Sequence, residues 1–369
     1  MTIYAFSSFT YSYLDRARVL ARTLRRVHPD WHICAVVSDL PPAGTSQSDL
    51  LAEFDSILIA EDLLRDEMGK RFQSWMFCHN IVEACTAVKG RAMAHLLDHH
   101  DAEKVLFFDP DIAIFDTLAP LTDALDTAEI LLTPHQLDPE PRENAVAIGD
   151  NEIASLKWGA YNLGFVGVTN RPDGEGRRFA RWWGDRLLDW CQDNLPKGLF
   201  TDQKWCDLVP SFFDDVRVLR DPGCNVASWN LSQRHLSFTE AGDITVNAAP
   251  LRFFHFTKLG PVGDQMTRRY AHNNPEVLEI WAWYKRAVAR ARAPEVPERY
   301  WHYGQFSNRR RIPGAVRTLY RDRADLRTAF SDPFDVENGF FDWLIAEGHL
   351  TNEASTPEVA APTQHETTL

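Results

Sequence analysis

The sequence predicts an α/β fold with a mostly parallel, Rossmann-like central sheet flanked by helices, followed by a helical C-terminal extension. Three observations carry that expectation. β-Rich runs alternate with segments of helical spacing through the first hundred residues, the pattern of a parallel α/β sheet. The run Lys104-Val-Leu-Phe-Phe108 holds four consecutive apolar residues, as suits a strand covered on both faces. Residues 3–37 read as strand, loop, helix, strand, and the loop after the first strand of such a unit is where these folds bind ligands.

In order along the chain, residues 3–6 form a strand and residues 7–13 a polar and aromatic loop. Residues 14–27 place apolar side chains at 14, 17, 20, 24 and 27, a helical spacing, until His28-Pro29-Asp30 stops it. Strands are expected at 33–37, 55–60, 104–108, 129–133, 161–168 and 251–256. Residues 75–97 read as helical with an interruption near Lys89-Gly90-Arg91, and 134–150 as a long connection. Residues 177–195 read as an amphipathic helix whose Phe179, Trp182, Trp183, Leu187 and Trp190 belong to the core. Thr201 or Asp202 is placed to cap a helix opening at 201–205. Beyond residue 263 the chain becomes helical and Arg-rich, with helices at 282–293, 316–330 and 340–346. Residues 351–369 carry almost nothing to bury and read as a disordered tail.

The net charge of −13 argues against general nucleic-acid affinity. It is uneven. Residues 285–328 hold twelve Lys and Arg against four Asp and Glu, a local +8, so the remainder carries −21. That basic segment suits either a solvated face on the acidic part or peripheral contact with an anionic membrane. No apolar stretch is long enough to span a bilayer, and Met1-Thr-Ile-Tyr-Ala-Phe6 lacks the charged and apolar regions of a signal peptide. The six cysteines are scattered without C-x-x-C pairs, which fits reduced thiols in a cytoplasmic protein.

The chemistry concentrates at Asp109-Pro110-Asp111, where the 104–108 strand stops. Residues two apart in extended backbone project to one side, so these carboxylates can converge, and Pro110 stiffens the pair. Two hard oxygen ligands at a strand's carboxyl end suit Mg²⁺ or Mn²⁺ carrying a phosphate. The alternative is a turn bearing two solvated aspartates. Neither G-x-G-x-x-G nor the glycine-rich loop of a nucleotidyltransferase is present.

Taken together, several motifs resemble the retaining glycosyltransferases of the GT-A fold, specifically the glycogenin-like and galactosyltransferase-like family eight. They are the segment opening at Tyr13, Phe107-Phe-Asp-Pro-Asp-Ile112, Tyr161-Asn-Leu-Gly-Phe165, Asp202-Gln203 and His255-Phe256. The 83–89 run ending in Lys89 resembles a helix whose lysine reaches the donor. Bacterial polysaccharide-cluster transferases share further runs similar to Thr133-Pro-His135 and Asn225-Val-Ala-Ser-Trp-Asn230. The resemblance spans residues 3–262, implying a GT-A nucleotide-sugar domain over 1–262, a helical Arg-rich extension over 263–350 and a tail over 351–369.

The resemblance implies that Asp109, Asp111 and His255 hold Mn²⁺ or Mg²⁺. Phe6, Ser7, Tyr13, Lys89, Asp109, Asn162 and Lys258 would border the donor, a nucleoside diphosphate sugar with UDP favoured. Asn162, Asp202 and Gln203 would act at the transferred sugar, which passes to a saccharide or lipid-linked acceptor with retention, in bacterial surface glycan synthesis. The family continues its histidine motif as H-x-x-G-x-x-K-P-W. Here Lys258 stands at the glycine position and Pro261 at the lysine position, so either Lys258 or Lys89 is the candidate cation for the departing diphosphate. Two other readings stay open: an inverting transferase with Asp202 or Glu240 as general base, and an inactive nucleotide-sugar-binding module.

Overall fold

The structure, a computed structural model, describes residues 2–271 and 274–351. At its centre β1 (Ile3–Phe9), β2 (His32–Val37), β3 (Ser56–Ile59) and β4 (Lys104–Phe108) run parallel. β5 (Ile112–Ile114) and two strands from later in the chain form a separate three-stranded sheet described below. β6 (Ile130–Pro134) is antiparallel to β7 (Tyr161–Thr169) and parallel to β8 (Val216–Val218), and β7 is also antiparallel to β4. The seven-stranded order is β8-β6-β7-β4-β1-β2-β3. The α/β class with a mostly parallel sheet is therefore as expected.

Alternation along the strands explains the two-sided core. Phe6 of β1 and Val105 and Phe107 of β4 join one buried cluster, with Met93 and Trp183. Ala5 and Phe9 of β1 and Leu106 and Phe108 of β4 join the cluster on the opposite face, with Leu14, Leu20 and Leu24 of α1 (Leu14–Val27). Successive side chains of a strand point to opposite faces, so an unbroken apolar run is what a doubly covered strand requires.

Several boundaries differ from expectation, for tertiary reasons. β1 runs on through Phe9, because Ser7, Ser8 and Phe9 all pair with β2. The helical stretch before β4 breaks at residues 78–80 and at Val88, and α2 (Lys89–His99) runs through Gly90. Gly90 does not loosen α2. It is the contact point with α3 (Glu175–Trp190), where an added Cβ would lie 2.3 Å from the Gly184 backbone nitrogen. α3 stops well short of residue 195, and Trp190, expected in the core, is 51% exposed. The 134–150 connection is shortened by helical turns beginning at Ala145, including a π-helical Ile148–Ile153 segment. Residues 316–330 split into Gly314–Asp322 and Ala324–Ala329, and the 282–293 helix is α4 (Pro275–Ala291). Phe340–Ala346 is helical as expected.

The C-terminal extension spends much of its positive charge internally. Buried Arg317 donates to the Phe77 and His79 carbonyls at 3.1 and 2.9 Å, and Arg321 pairs with Glu83 at 3.2 Å. Lys285 pairs with Asp264, Arg292 with Glu298 and Arg323 with Asp325. His302 donates its backbone N–H to Asp39 at the end of β2, at 2.8 Å. The tail expected over 351–369 lies, past residue 351, outside the described residues. Among the described residues no helix is long and apolar enough to cross a membrane, and all six cysteines are unpaired.

The α2–α3 contact yields a stability prediction. Gly to Ala in a helix interior gains about 1 kcal/mol of propensity, but a methyl against fixed backbone costs about 1–3 kcal/mol through overpacking. Gly90→Ala is expected to lower the urea midpoint. An unchanged or raised midpoint would show that α2 and α3 separate freely.

Candidate active site

The site lies where β4 ends. Asp109 donates its backbone N–H to the Gly164 carbonyl of β7 at 2.8 Å, and Ile112 N–H closes the turn onto the Asp109 carbonyl at 3.1 Å. β5 then pairs antiparallel with β12 (Phe253–His255), which also pairs with β9 (Val226–Ala227). Between them in sequence, β10 (Leu236–Phe238) and β11 (Ile244–Val246) form a separate antiparallel ribbon. Register sets His255 opposite Ile112, and Phe256 N–H donates to the Asp111 carbonyl at 2.9 Å. Two segments far apart in sequence are thereby fixed side by side.

One ligand atom from each of Asp109, Asp111 and His255 lies within 4.8 Å of the others. His255 Nε2 is 3.0 Å from Asp111 Oδ1 and 3.7 Å from Asp109 Oδ2. The imidazole rests on Gly164, where a Cβ would come within 2.5 Å of Nδ1. Trp229 packs edge-to-face on the ring at 5.2 Å. Burial disfavours the imidazolium, but the Asp111 charge and hydrogen bond outweigh it and hold the His255 pKa above its ordinary value. Burial likewise works against the Asp111 carboxylate, and His255 overrides it, holding that pKa down.

Lys89 opens α2 directly beneath this pair. Its ammonium is buried, 3.0 Å from Asp109 Oδ1, 2.8 Å from Asp202 Oδ2 and 3.4 Å from the Leu163 carbonyl. Three donors thus meet three acceptors, and the Phe107 ring lies 4.0 Å below. Burial opposes this charge, yet the two aspartates raise the Lys89 pKa. Asp202 is not a helix cap: the segment after it is a 3₁₀ turn (Lys204–Leu208), capped by no side chain, and Thr201 has φ +44°.

On the β7 side, Asn162 Oδ1 accepts from Gly164 N–H at 3.0 Å and from Asn225 Nδ2 at 2.9 Å. Its Nδ2 reaches Gln203 Oε1 at 3.4 Å and His135 Nε2 at 3.3 Å. Gln203 in turn donates to the Trp158 carbonyl at 3.0 Å. Asn162, Asp202 and Gln203 therefore belong to one connected network beside the carboxylate pair.

The remaining expected residues fall differently. Tyr13 is partly exposed, with the Arg16 guanidinium 4.2 Å over its ring. The Phe6 ring is core, against Phe107, so it offers a ligand no aromatic face. Ser7 is buried and its hydroxyl has no hydrogen-bond partner. Lys258 is exposed and has no ion-pair partner among the described residues. Its φ is +55°, the left-handed backbone that favours glycine. Glu240 sits exposed at the tip of the β10–β11 ribbon.

Sequence reasoning missed His135, Asn225 and Trp229 as site residues, although their runs were singled out. It also missed Arg16, whose charge helps hold the Asp111 pKa down. Burial depresses the His135 pKa to about 4, so it is a neutral hydrogen-bonding partner near neutral pH.

The donor set fits a hard divalent cation. Three carboxylates and one ammonium leave two negative charges uncompensated when His255 is neutral, and Mg²⁺ or Mn²⁺ supplies two positive ones. Oxygen, oxygen and imidazole nitrogen donors are compatible with either ion.

No protein-family model matches the chain. It is 24% identical to YfnF, an uncharacterized protein of Bacillus subtilis strain 168, over 176 residues, or 47% of this chain and 56% of YfnF. Over 179 residues it is 26% identical to YfnD of the same strain, 47% of this chain and 53% of YfnD. The chain thus spans about half the length of the curated relatives it matches. Among solved structures, the galactosyltransferase LgtC in complex with donor and acceptor sugar analogs shares 16% identity at a TM-score of 0.43, over 80% of this chain and 98% of that one. The glycosyltransferase GlyE of Streptococcus pneumoniae TIGR4 shares 15% identity at a TM-score of 0.42, over 78% and 62%.

Removing one partner from a buried ionic cluster costs about 3–5 kcal/mol. Lys89→Met is expected to destabilise the fold by that order, read from denaturant unfolding without added metal. A loss below about 1 kcal/mol would mean that Lys89 is not the counter-ion of Asp109 and Asp202.

Proposed function

We propose that the protein is a metal-dependent GT-A glycosyltransferase of the retaining, family-eight type. It moves a sugar from a nucleoside diphosphate sugar, with UDP favoured, to a saccharide or lipid-linked acceptor in bacterial surface glycan synthesis. The observation that carries this reading is the convergence of Asp109, Asp111 and His255 on one point, with Lys89, Asp202, Asn162 and Gln203 bonded into the adjoining wall.

Asp109, Asp111 and His255 would hold Mn²⁺ or Mg²⁺, which supplies Lewis-acid stabilisation of the diphosphate as the C1–O bond breaks. Tyr13, partly exposed beside Arg16, is placed to stack on the base. Ser7 offers an unpartnered hydroxyl within β1. Lys89 has all three donors committed to protein acceptors, so it organises the site rather than clamping the phosphates. The clamp falls to Lys258, a cation three residues beyond His255 with no ion-pair partner among the described residues. Asn162 and Gln203 hold the donor sugar's hydroxyls.

Retention is favoured by the state of Asp202. Asp202 is buried with its Oδ2 bonded to the Lys89 ammonium at 2.8 Å, so that oxygen is already occupied and not open to an acceptor hydroxyl, and Glu240 sits exposed at the tip of the β10–β11 ribbon. The acceptor hydroxyl then attacks from the leaving-group face, and the departing phosphate oxygen takes its proton. The reading places the enzyme in the cytoplasm. Arg290, Arg299, Arg309 and Arg311, without ion-pair partners among the described residues, remain available to an anionic membrane.

The test is sugar transfer or donor hydrolysis with UDP-, GDP- and TDP-sugars. Chelation should abolish turnover, and Mn²⁺ or Mg²⁺ should restore it. Asp109→Ala, Asp111→Ala and His255→Ala should each lower kcat/KM by about a hundredfold or more, since the ion contributes several kcal/mol. Undiminished turnover by metal-stripped protein would overturn the metal scheme. Lys258→Gly should raise the donor KM or lower kcat while leaving the fold at least as stable, and wild-type kinetics would return the clamp to another residue.

A further inference from the structure

A second concave site lies away from the catalytic cleft. α4, the turn end of the β10–β11 ribbon, the residue after β5 and the last turn of α1 line a groove of about 440 Å³, within the size range of small-ligand sites. Phe115 and Trp283, with ring centroids 5.2 Å apart, and Phe238 supply its aromatic surface. Phe238 is 41% exposed, an aromatic ring left facing water. Arg26, Arg286 and Glu279 complete the lining. Arg26 donates one N–H to the Ile114 carbonyl at 3.1 Å, which steadies the guanidinium and leaves its other donors unused. Arg286 and Glu279 have no ion-pair or side-chain hydrogen-bond partner among the described residues.

The groove is physically separate from the candidate metal site, although one strand links them. Asp111, Ala113 and Phe115 lie on the same face of β5 by the two-residue repeat. Asp111 enters the metal cluster and Phe115 the groove, about 13 Å apart at 3.3 Å per residue. Between them Ala113 is sealed in the cluster formed with Phe254, Phe256, Trp281 and Tyr284.

We infer that this groove binds an acidic oligosaccharide segment. The lining selects for that chemistry. Aromatic faces take the apolar C–H face of a pyranose. The two guanidiniums pair with a sugar carboxylate in fork geometry. Glu279, exposed beside them, accepts readily from a saccharide hydroxyl, a donor that an aliphatic or polyphosphate ligand lacks. The volume exceeds one sugar ring, so the ligand is a chain rather than a monosaccharide. The inference stands on the groove's own residues; joined to the proposed transferase activity, it makes the groove a holding site for a growing acidic glycan.

The test uses the full chain in EDTA, with tetragalacturonate as probe and maltotetraose as the neutral control, followed by saturation-transfer NMR and calorimetry. Saturable binding of tetragalacturonate is expected, with at least tenfold weaker binding of maltotetraose. Arg286→Glu, a change at an exposed position, should weaken binding about tenfold or more, with donor turnover and unfolding midpoint unchanged. Trp283→Ala should do the same to binding. Asp111→Asn should leave probe binding intact while abolishing turnover, so failure of the catalytic reading and failure of this one are separable. Absence of saturable binding at about 10 mM, equal affinity for maltotetraose, wild-type affinity in Arg286→Glu, or loss of binding in Asp111→Asn would each overturn the inference.

Discussion

The Lys89 ammonium sits between Asp109, at the end of β4, and Asp202, in the segment after α3, with the Leu163 carbonyl of β7 as its third acceptor. An isolated ammonium at this depth would be driven to neutrality, and three carboxylates crowded together would not all ionise. The two aspartates hold the Lys89 pKa up against burial, whereas at Asp109 burial outweighs Lys89 and His255 and pushes that carboxyl's pKa up, so the cluster depends on every partner being in place. The cluster therefore ties α2, β4, β7 and the 202–203 segment into one arrangement. The cation sits where β4, β7 and the segment holding Asp202 meet. If any of those elements moves, a buried charge loses its partner, so the charges themselves enforce the geometry.

The same reasoning explains the backbone around the site. His255 can approach Asp111 only because Gly164 leaves room for the imidazole. Asn162, two residues earlier on β7, uses its side-chain carbonyl to accept the Gly164 N–H, so the side chain that reaches Gln203 and His135 also fixes the strand beneath the imidazole. Asn225, itself at φ +54°, reaches the same carbonyl oxygen. Strain and small residues collect where two functions share one piece of backbone.

Much of this was legible in the sequence wherever local rules decide the outcome. The α1 helix and β4 have the predicted bounds because period, apolarity and the His-Pro-Asp and Asp-Pro-Asp stops all agree. The Asp109–Asp111 pair is legible from the two-residue repeat, while His255 as their neighbour was expected only from the resemblance, and the structure brings all three within 4.8 Å. What was not legible depends on contacts between distant segments. Thr201-Asp202 looks like a cap because Ser, Thr and Asp before a helical run usually are one; its actual partner, Lys89, is 113 residues away. Gly90 looks like a helix weakness until Gly184 is placed against it. Trp190 fits the periodicity of a buried face, yet the helix ends there and exposes it.

Lys258 shows how a departure from a motif can keep its geometry. The resembling family places glycine at this position, and here the lysine backbone retains the left-handed φ of +55° that glycine would adopt without cost. For a residue with a Cβ that conformation costs about 1–2 kcal/mol. The Lys258 carbonyl also accepts the Gly263 N–H at 3.0 Å, and a Cβ on Gly263 would come within 2.4 Å of that oxygen, so the turn leaves little room to relax. The backbone is thus held fixed by its neighbours while the side chain puts an exposed cation three residues after His255. That penalty falls on an exposed side chain with no ion-pair partner among the described residues, so nothing it bonds within them offsets the cost of the turn.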